Sequence, residues 1–343
     1  MGTFIKMEKQ KSNIFIERDI RFHIDKYVDL NRRVLILTDD GVPKQYVRVI
    51  EEQCPHPYLK VIPQGEGSKS LQSVEEIVLW MAQMGFEKGD LMFAVGGGVV
   101  GDLGGFIASI YLQGIQVVSL PTTTLSQIDS SIGGKTAVDL NHIKNNVGSF
   151  YQPSNVFIDL NTVATLTKRE YYSGLVEALK AGLIRDSKLF DIFWTHITDF
   201  NESIPPSDVE EIVIRALNVK RKIVEKDEKE ANLRKLLNFG HTLGHAIESI
   251  EMPKYYHGEC VGLGMLMILE NIDLRDKIKQ VLEKMGMPTH IDYDIDQVIS
   301  LIKSDKKYNG STVTIVQVDE IGKGYFKDVT LEWLRNHLEK NRI

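Results

Sequence analysis

The run Leu91-Met92-Phe93-Ala94-Val95 reads as a buried strand, and it stops at three consecutive glycines, Gly96-Gly97-Gly98. The chain then passes through Val99-Val100-Gly101-Asp102 into the apolar stretch Leu103-Gly104-Gly105-Phe106-Ile107. A strand that ends in glycines and reopens as a helix lets backbone N–H groups approach a pyrophosphate, with the positive end of the helix behind them. Gly96, Gly98 and Gly101 satisfy G-x-G-x-x-G in the strand-to-helix setting that the motif requires. The motif nevertheless lies far into the chain, and no acid follows at the spacing that usually grips a ribose. Asp39, at the end of an earlier strand, is the acid that could do so. A tight structural turn would carry the same glycines, so this motif alone does not decide.

The surrounding pattern places the motif in an alternating fold. Arg33-Val34-Leu35-Ile36-Leu37-Thr38 and Gln116-Val117-Val118-Ser119-Leu120 read as two more buried strands, the second ended by Pro121. Between them, Ser70 to Gly85 carries Leu71, Val74, Ile77, Val78 and Met81 at helical spacing. Such alternation predicts a parallel sheet covered by helices. After about residue 160 the pattern turns helical: Tyr171 to Arg185, Val209 to Glu225, Leu236 to Ile250, Cys260 to Asp273, Leu274 to Met285 and Ile295 to Ser304. Only Thr312 to Val318 looks β-like there. The expectation is an α/β domain over residues 1–160 and a mainly α-helical domain over 161–343. At 343 residues the chain is long for one core. Clefts between domains favour ligand sites, so both halves should supply chemistry.

Composition narrows the function classes. Lys and Arg number 41 against 47 acids, for a net charge of −6 with the signs interspersed, so no basic face points to nucleic acid. Met1 to Ser12 lacks the apolar core of a signal peptide, and Lys6 stands where a myristoylation motif wants Ser or Thr. No apolar run approaches a membrane span. Two distant cysteines, Cys54 and Cys260, fit a reducing cytoplasm rather than a disulfide scaffold.

A second glycine-rich stretch, Asp129-Ser130-Ser131-Ile132-Gly133-Gly134-Lys135-Thr136, follows Pro121-Thr122-Thr123-Thr124 and precedes Lys144-Asn145-Asn146. A glycine pair beside a lysine combines close backbone approach with a point charge, which suits a phosphate or carboxylate. A solvated connection is the plainer alternative. Further on, His241 and His245 are four apart, one helical turn, and His257 lies shortly after. Three such histidines suit a divalent cation of the zinc class. No Glu follows the first of them as in H-E-x-x-H proteases, so peptide hydrolysis is disfavoured. Glu177, sharing a helix face with Lys180, is a candidate carboxylate ligand, though a surface i,i+3 ion pair would look the same. Lys220, Arg234 and Asn238 approach the histidine segment, and charges aimed into a helical bundle are expensive without an anionic, hydroxylated ligand.

Taken in order, GGGVVGDLGGF, PTTTLSQIDSSIGGKTAVD, KNNVGSFYQP, SGLVEALKAGLI, LRKLLNFGHTLGHAIE and YHGE resemble the 3-dehydroquinate synthases. The resemblance runs from about the third strand to Asp305-Lys306-Lys307. It implies a Rossmann-like N-terminal domain, a helical C-terminal domain, bound NAD, one Zn²⁺ or Co²⁺ ion and a homodimer. Residue by residue, it implies Glu177, His241 and His257 as metal ligands, with His245 contacting substrate. Asp129, Lys135, Lys144, Asn145, Lys180, Lys220, Arg234 and Asn238 would hold substrate, joined by Lys306 or Lys307. NAD would lie against Asp39, Glu66, Lys69, Gly98, Val99, Val100, Gly101, Asp102, Thr122, Thr123, Lys135, Lys144, Thr162, Thr165, Leu166 and Glu170. One position departs from the family: Gln113, in Tyr111-Leu112-Gln113-Gly114, stands where an Arg is usual, and an amide lacks the charged fork of a guanidinium.

The implied activity is a phosphate-eliminating lyase of the shikimate pathway, on the route to the aromatic amino acids. It converts 3-deoxy-D-arabino-heptulosonate 7-phosphate (DAHP) to 3-dehydroquinate and phosphate. The steps are transient oxidation, β-elimination, re-reduction, ring opening and an intramolecular aldol. Two other classes share the architecture: cyclases of the 2-deoxy-scyllo-inosose or valiolone synthase type, and metal-dependent polyol dehydrogenases. The latter need no phosphate clamp, so the lysines and Arg234 together weigh against them.

Overall fold

The computed structural model describes residues 3–6, 12–141, 143–251, 253–304 and 312–343. The chain divides into two compact units, Met1–Leu166 and Thr167–Ile343.

In chain order, the first unit contains β1 (Thr3–Lys6), β2 (Asn13–Ile16), β3 (Arg33–Asp39), α1 (Lys44–Glu51), β4 (His56–Ile62), α2 (Leu71–Gln83) and β5 (Leu91–Gly96). These are followed by α3 (Gly98–Ile110), β6 (Gln116–Pro121), β7 (Lys135–Leu140), β8 (Ile143–Phe150) and β9 (Asn155–Ile158). Seven strands form one sheet in the order β1-β2-β9-β6-β5-β3-β4, all parallel except the edge pair β1–β2. The near-continuous apolar strands follow from burial on both faces. Along β3 and β5, Leu35, Leu37, Met92 and Ala94 enter one core, while Val34, Ile36, Leu91, Phe93 and Val95 enter the other. Phe93 is wholly buried, and Phe93→Ala would cost about 3–5 kcal/mol.

Helix α3 is pressed against the sheet on one side and strand β7 on another because its glycines have no side chains to hold them off. A Cβ at Gly104 would come within 3.2 Å of Ala94, and one at Gly105 within 2.4 Å of Thr136. Where the sequence suggested only a binding loop, the chain forms the antiparallel hairpin β7–β8. Its polar strands keep only Thr136 and Val138 buried, too weak an alternation to read as a strand.

The second unit contains α4 (Lys168–Arg185), α5 (Ser187–His196), α6 (Pro206–Lys226), α7 (His241–Glu251), α8 (His257–Ile268), α9 (Ile272–Lys284), α10 (Ile295–Ser304), the antiparallel hairpin β10 (Thr312–Val318) and β11 (Gly324–Thr330), and α11 (Leu331–Lys340). Two expected helices are each broken once. The stretch from Leu236 to Ile250 is a short 3₁₀ turn, Leu233–Asn238, and then α7. Gly240 between them adopts φ +77°, and a Cβ there would lie 2.7 Å from the Val261 carbonyl oxygen. Asn238 therefore does not share a helix with His241. The stretch from Cys260 to Asp273 breaks at extended Leu269, and the Asn271 side chain caps α9 by accepting from the Leu274 N–H.

Candidate catalytic centre

Helix α7 presents His241, His245 and Glu248 at i, i+4 and i+7, one stripe of the helix. His257 is the first residue of α8, and the two helices are in backbone contact because Gly244 and Gly264 allow it: a Cβ at Gly264 would overlap the Gly240 carbonyl oxygen at 2.0 Å. Ligand nitrogens of His241, His245 and His257 all lie within 4.8 Å of one another. Helix α4 supplies Glu177, whose Oε1 lies 3.4 Å from His241 Nε2 and 3.7 Å from His257 Nε2.

Glu177 is 2% exposed and Lys180 likewise 2%, so their pair is no surface ion pair. Lys180 donates to Glu177 Oε2. Glu177 Oε1 is buried and has no hydrogen-bond partner among the described residues. Burial pushes the Glu177 carboxyl up, but Lys180 and His257 outweigh it and hold the carboxyl down to about 2. An ionised, half-satisfied carboxylate facing two imidazoles fits a divalent cation, which would complete the shell of Oε1. Burial lowers the basicity of His257, yet the neighbouring carboxylates of Glu177 and Glu248 raise the imidazole to about 10. His241 is held well below its ordinary value by burial and by Lys180, His245 and His257.

Other buried charges lie in the same unit. Lys220 on α6 is 6% exposed and Arg234 3%. Arg234 is presented by a loop organised around Asp227, whose carboxylate accepts from the backbone N–H of Ala231, Asn232 and Arg234 at 2.9, 2.7 and 2.9 Å. The Arg234 guanidinium donates to the Glu228 carbonyl at 2.6 Å, and the Asn238 amide donates to Glu230 at 2.9 Å. Desolvation raises the Asp227 carboxyl, but the three N–H donors and the Arg234 charge together bring it below its ordinary value. Lys306 and Lys307 lie outside the described residues.

In the first unit, Gly98 opens α3 and Gly101 sits in its first turn, where an added Cβ would meet nothing within 4 Å. Lys69, 5% exposed, lies 2.8 Å from Asp102 and 3.8 Å from Glu66. Burial lowers the Lys69 ammonium, but Asp102, Glu66 and Asp139 raise it overall, so it stays charged. Asp39 uses Oδ1 to accept from Gly41 and Val42, closing the turn after β3. Burial raises its carboxyl despite those two bonds. Thr122 is buried and Thr123 half-buried just after β6, and Thr123 exchanges bonds with Ser126 in the turn that carries Asp129.

The hairpin separates residues that the sequence grouped. Lys135 pairs with Phe150 at the open end, whereas Lys144 and Asn145 lie by the turn, where Asp139 accepts from Asn145 N–H at 2.7 Å. Four residues of strand, about 13 Å, separate the two ends. The turn end is tied to Lys69, whose carbonyl accepts from Asp139. The Lys135 end is tied to the turn after α3 through Tyr151, which donates to Gly134 and Ile115. Gln113 lies in that turn, exposed and left-handed at φ +59°. Two residues of the expected cofactor set serve the chain itself. The Thr162 hydroxyl donates to Asp159 and accepts from Gln127, and Glu170 closes a capping box with Thr167 at the start of α4. Thr165 and Leu166 follow in the last turn of the unit, exposed and half-buried respectively.

Sequence reasoning passed over Glu248, Asp227 and Glu230. Glu248 was visible as the i+7 partner of His241. The other two lie in an irregular loop, where Glu230 takes φ +58° and no periodicity announces them.

Two family models match contiguous segments, 3-dehydroquinate synthase N-terminal at residues 59–173 and 3-dehydroquinate synthase C-terminal at 174–308. A 3-dehydroquinate synthase of Clostridium acetobutylicum is 36% identical, covering 96% of this chain and 98% of the relative. A solved 2-deoxy-scyllo-inosose synthase, complexed with carbaglucose-6-phosphate, NAD⁺ and Co²⁺, has TM-score 0.89 at 22% identity, covering 99% of this chain and all of the other. The valiolone synthase ValA of Streptomyces hygroscopicus, with NAD⁺ and Zn²⁺ bound, has TM-score 0.88 at 25% identity, covering 98% of each chain. The cyclase architecture is thus common to several substrates, while sequence identity over nearly the whole length falls on one branch of it: the chain belongs to the 3-dehydroquinate synthase family.

Proposed function

We propose that this chain converts DAHP to 3-dehydroquinate and inorganic phosphate. The substrate is transiently oxidised, loses phosphate by β-elimination, is re-reduced, opens and recloses by an intramolecular aldol. One observation carries the reading: a buried carboxylate oxygen fit for a cation, in a unit whose other buried charges include the cations Lys180, Lys220 and Arg234. A polyol dehydrogenase needs the first feature and has no use for the second.

When bound, a divalent metal supplies the Lewis acid that acidifies the substrate hydroxyl, and NAD the hydride acceptor. Glu177, His241 and His257 would hold the metal, with Zn²⁺ and Co²⁺ matching the nitrogen and oxygen donors. Lys180 keeps Glu177 ionised by holding its second oxygen. His245, exposed beside the cluster, is suited to reach substrate and move a proton. Lys220, Arg234 and Asn238 would bind the substrate's anionic and hydroxyl groups and stabilise the enolate charge that precedes phosphate loss. In the first unit, Asp129, Lys135, Lys144 and Asn145 would complete that grip. The α3 N-terminus from Gly98 to Asp102 would take the NAD pyrophosphate, with Asp39, Glu66, Lys69, Thr122 and Thr123 around it. The same reading takes the protein to be a homodimer in the cytoplasm, acting on a small sugar phosphate and not on nucleic acid. No helix among the described residues is long and apolar enough to cross a membrane. Chelation should abolish phosphate release from DAHP, and Zn²⁺ or Co²⁺ should restore it; release that is indifferent to chelator would reject the metal's part.

A further inference from the structure

Each imidazole that faces Glu177 Oε1 through Nε2 has its other nitrogen against an acceptor. For His241 the acceptor is the Phe239 backbone carbonyl, 3.1 Å from Nδ1. For His257 it is Glu248 Oε2, also 3.1 Å from Nδ1. A carboxylate can only accept, so Nδ1 of His257 must carry the hydrogen, and in the neutral ring Nε2 is left with its lone pair exposed. That lone pair lies on the side of Glu177, 3.7 Å from Oε1.

The two histidines differ in how firmly the fold holds them. Each begins its helix, but the His241 side chain is 11% exposed and that of His257 27%. The less confined ring has the stronger, charged acceptor. The neighbouring carboxylates have other partners: Glu251 pairs with Lys254, and Glu259 with Arg169. The Glu248–His257 spacing is set by the same backbone contact of α7 with α8, since a Cβ at Gly244 would lie 2.8 Å from the Cys260 carbonyl oxygen.

We infer that Glu248 is a positioning residue for the metal: its carboxylate fixes the tautomer and direction of His257 so that Nε2 is presented beside Glu177. This rests on the metal reading above and adds to it a residue that touches neither metal nor substrate. A carboxylate behind a ligating imidazole also raises its basicity, and loss of such a partner typically weakens metal affinity about 10–100-fold.

The test is Co²⁺ binding to metal-free protein, titrated in competition with a chelator, alongside the melting temperature of the metal-free protein and its NAD affinity. In Glu248→Gln the Co²⁺ Kd should rise about tenfold or more, and in Glu248→Ala towards about a hundredfold. Metal-free melting and NAD affinity should stay at the parental values in Glu248→Gln. A Co²⁺ Kd within about twofold of the parent in Glu248→Gln overturns the inference, and a fall in metal-free melting with unchanged Kd would assign the contact to fold stability instead. Parental protein that binds no Co²⁺, or His241→Ala protein that binds it as well as the parent, would overturn the metal reading itself. Tight parental binding with an indifferent Glu248→Gln overturns the role of Glu248 alone.

Discussion

In the first unit, the groups suited to a ligand are, beside the buried Asp39 and Lys69, mostly backbone amides at the opening of α3 and lysines on an exposed hairpin. In the second they are side chains sunk among helices: Glu177, Lys180, Lys220 and Arg234 are each at most 6% exposed. The contrast teaches how each half should respond to change. A site made from backbone and solvated charge weakens by degrees, because water replaces each lost contact. A buried charge cluster fails abruptly, because removing one member leaves another desolvated and uncompensated.

The largest effects should therefore come from the second unit. Glu177→Gln, His241→Ala and His257→Ala should each strip the metal and lower turnover about a thousandfold or more. His245→Ala should keep the metal and lose about 10²–10⁴ in rate. Metal content after gel filtration separates these outcomes. If His245→Ala loses the metal and His257→Ala keeps it, the ligand assignment is wrong.

In the first unit, Gly101→Ala isolates the ligand from the fold. An added Cβ meets nothing within 4 Å, so the protein itself has room for it. Replacing a helical glycine should raise stability by about 0.5–1 kcal/mol. A pyrophosphate at the α3 N-terminus would be crowded, and the NAD Kd should rise about tenfold, or 1.4 kcal/mol. Higher stability with unchanged NAD affinity would remove the cofactor from that place.

Asp227 tests the intermediate case, a surface loop that carries a buried cation. Asp227→Ala removes the acceptor of three N–H groups and should raise the substrate KM about tenfold, near 1.4 kcal/mol, with a smaller change in kcat. The Asp227 carboxyl lies below its ordinary value in the folded chain, so its contribution is complete above the unfolded value. That contribution fades only as pH falls through the lower folded one. Loop order should therefore be constant at neutral pH. A KM that matches the parent across neutral pH would mean that the loop holds Arg234 without Asp227.

How much of this was legible depended on where the information lay. Strands β3, β5 and β6 could be read because burial on both faces makes them continuous apolar runs, and the glycines that end β5 are local signals. The α7 stripe could be read from i, i+4 spacing. The break at Gly240 could not, because its cause is α8 pressing on that backbone, a contact between segments some twenty residues apart. The β7–β8 hairpin escaped for the same kind of reason, its few buried residues being set by packing on α3. Nor could sequence show that Lys135 and Lys144 stand at opposite ends of that hairpin. The role of Glu248 required the distance to His257, which spacing along one helix does not supply.

The smallest expected effect is at Gln113, exposed at the Lys135 end of the hairpin. Gln113→Arg should lower the substrate KM about two- to fivefold at low ionic strength, as an exposed charge would, with kcat unchanged. The gain should shrink as salt rises. An unchanged KM at every salt concentration would place Gln113 away from the substrate.

The most direct test of the account is a count of turnovers per NAD. Metal-loaded protein with NAD at a small fraction of the DAHP concentration should release phosphate in many-fold excess over NAD, with no accumulation of NADH absorbance, because the hydride leaves and returns within one cycle. Phosphate release that stops at the amount of NAD supplied, or NADH that accumulates in step with substrate consumed, would contradict it.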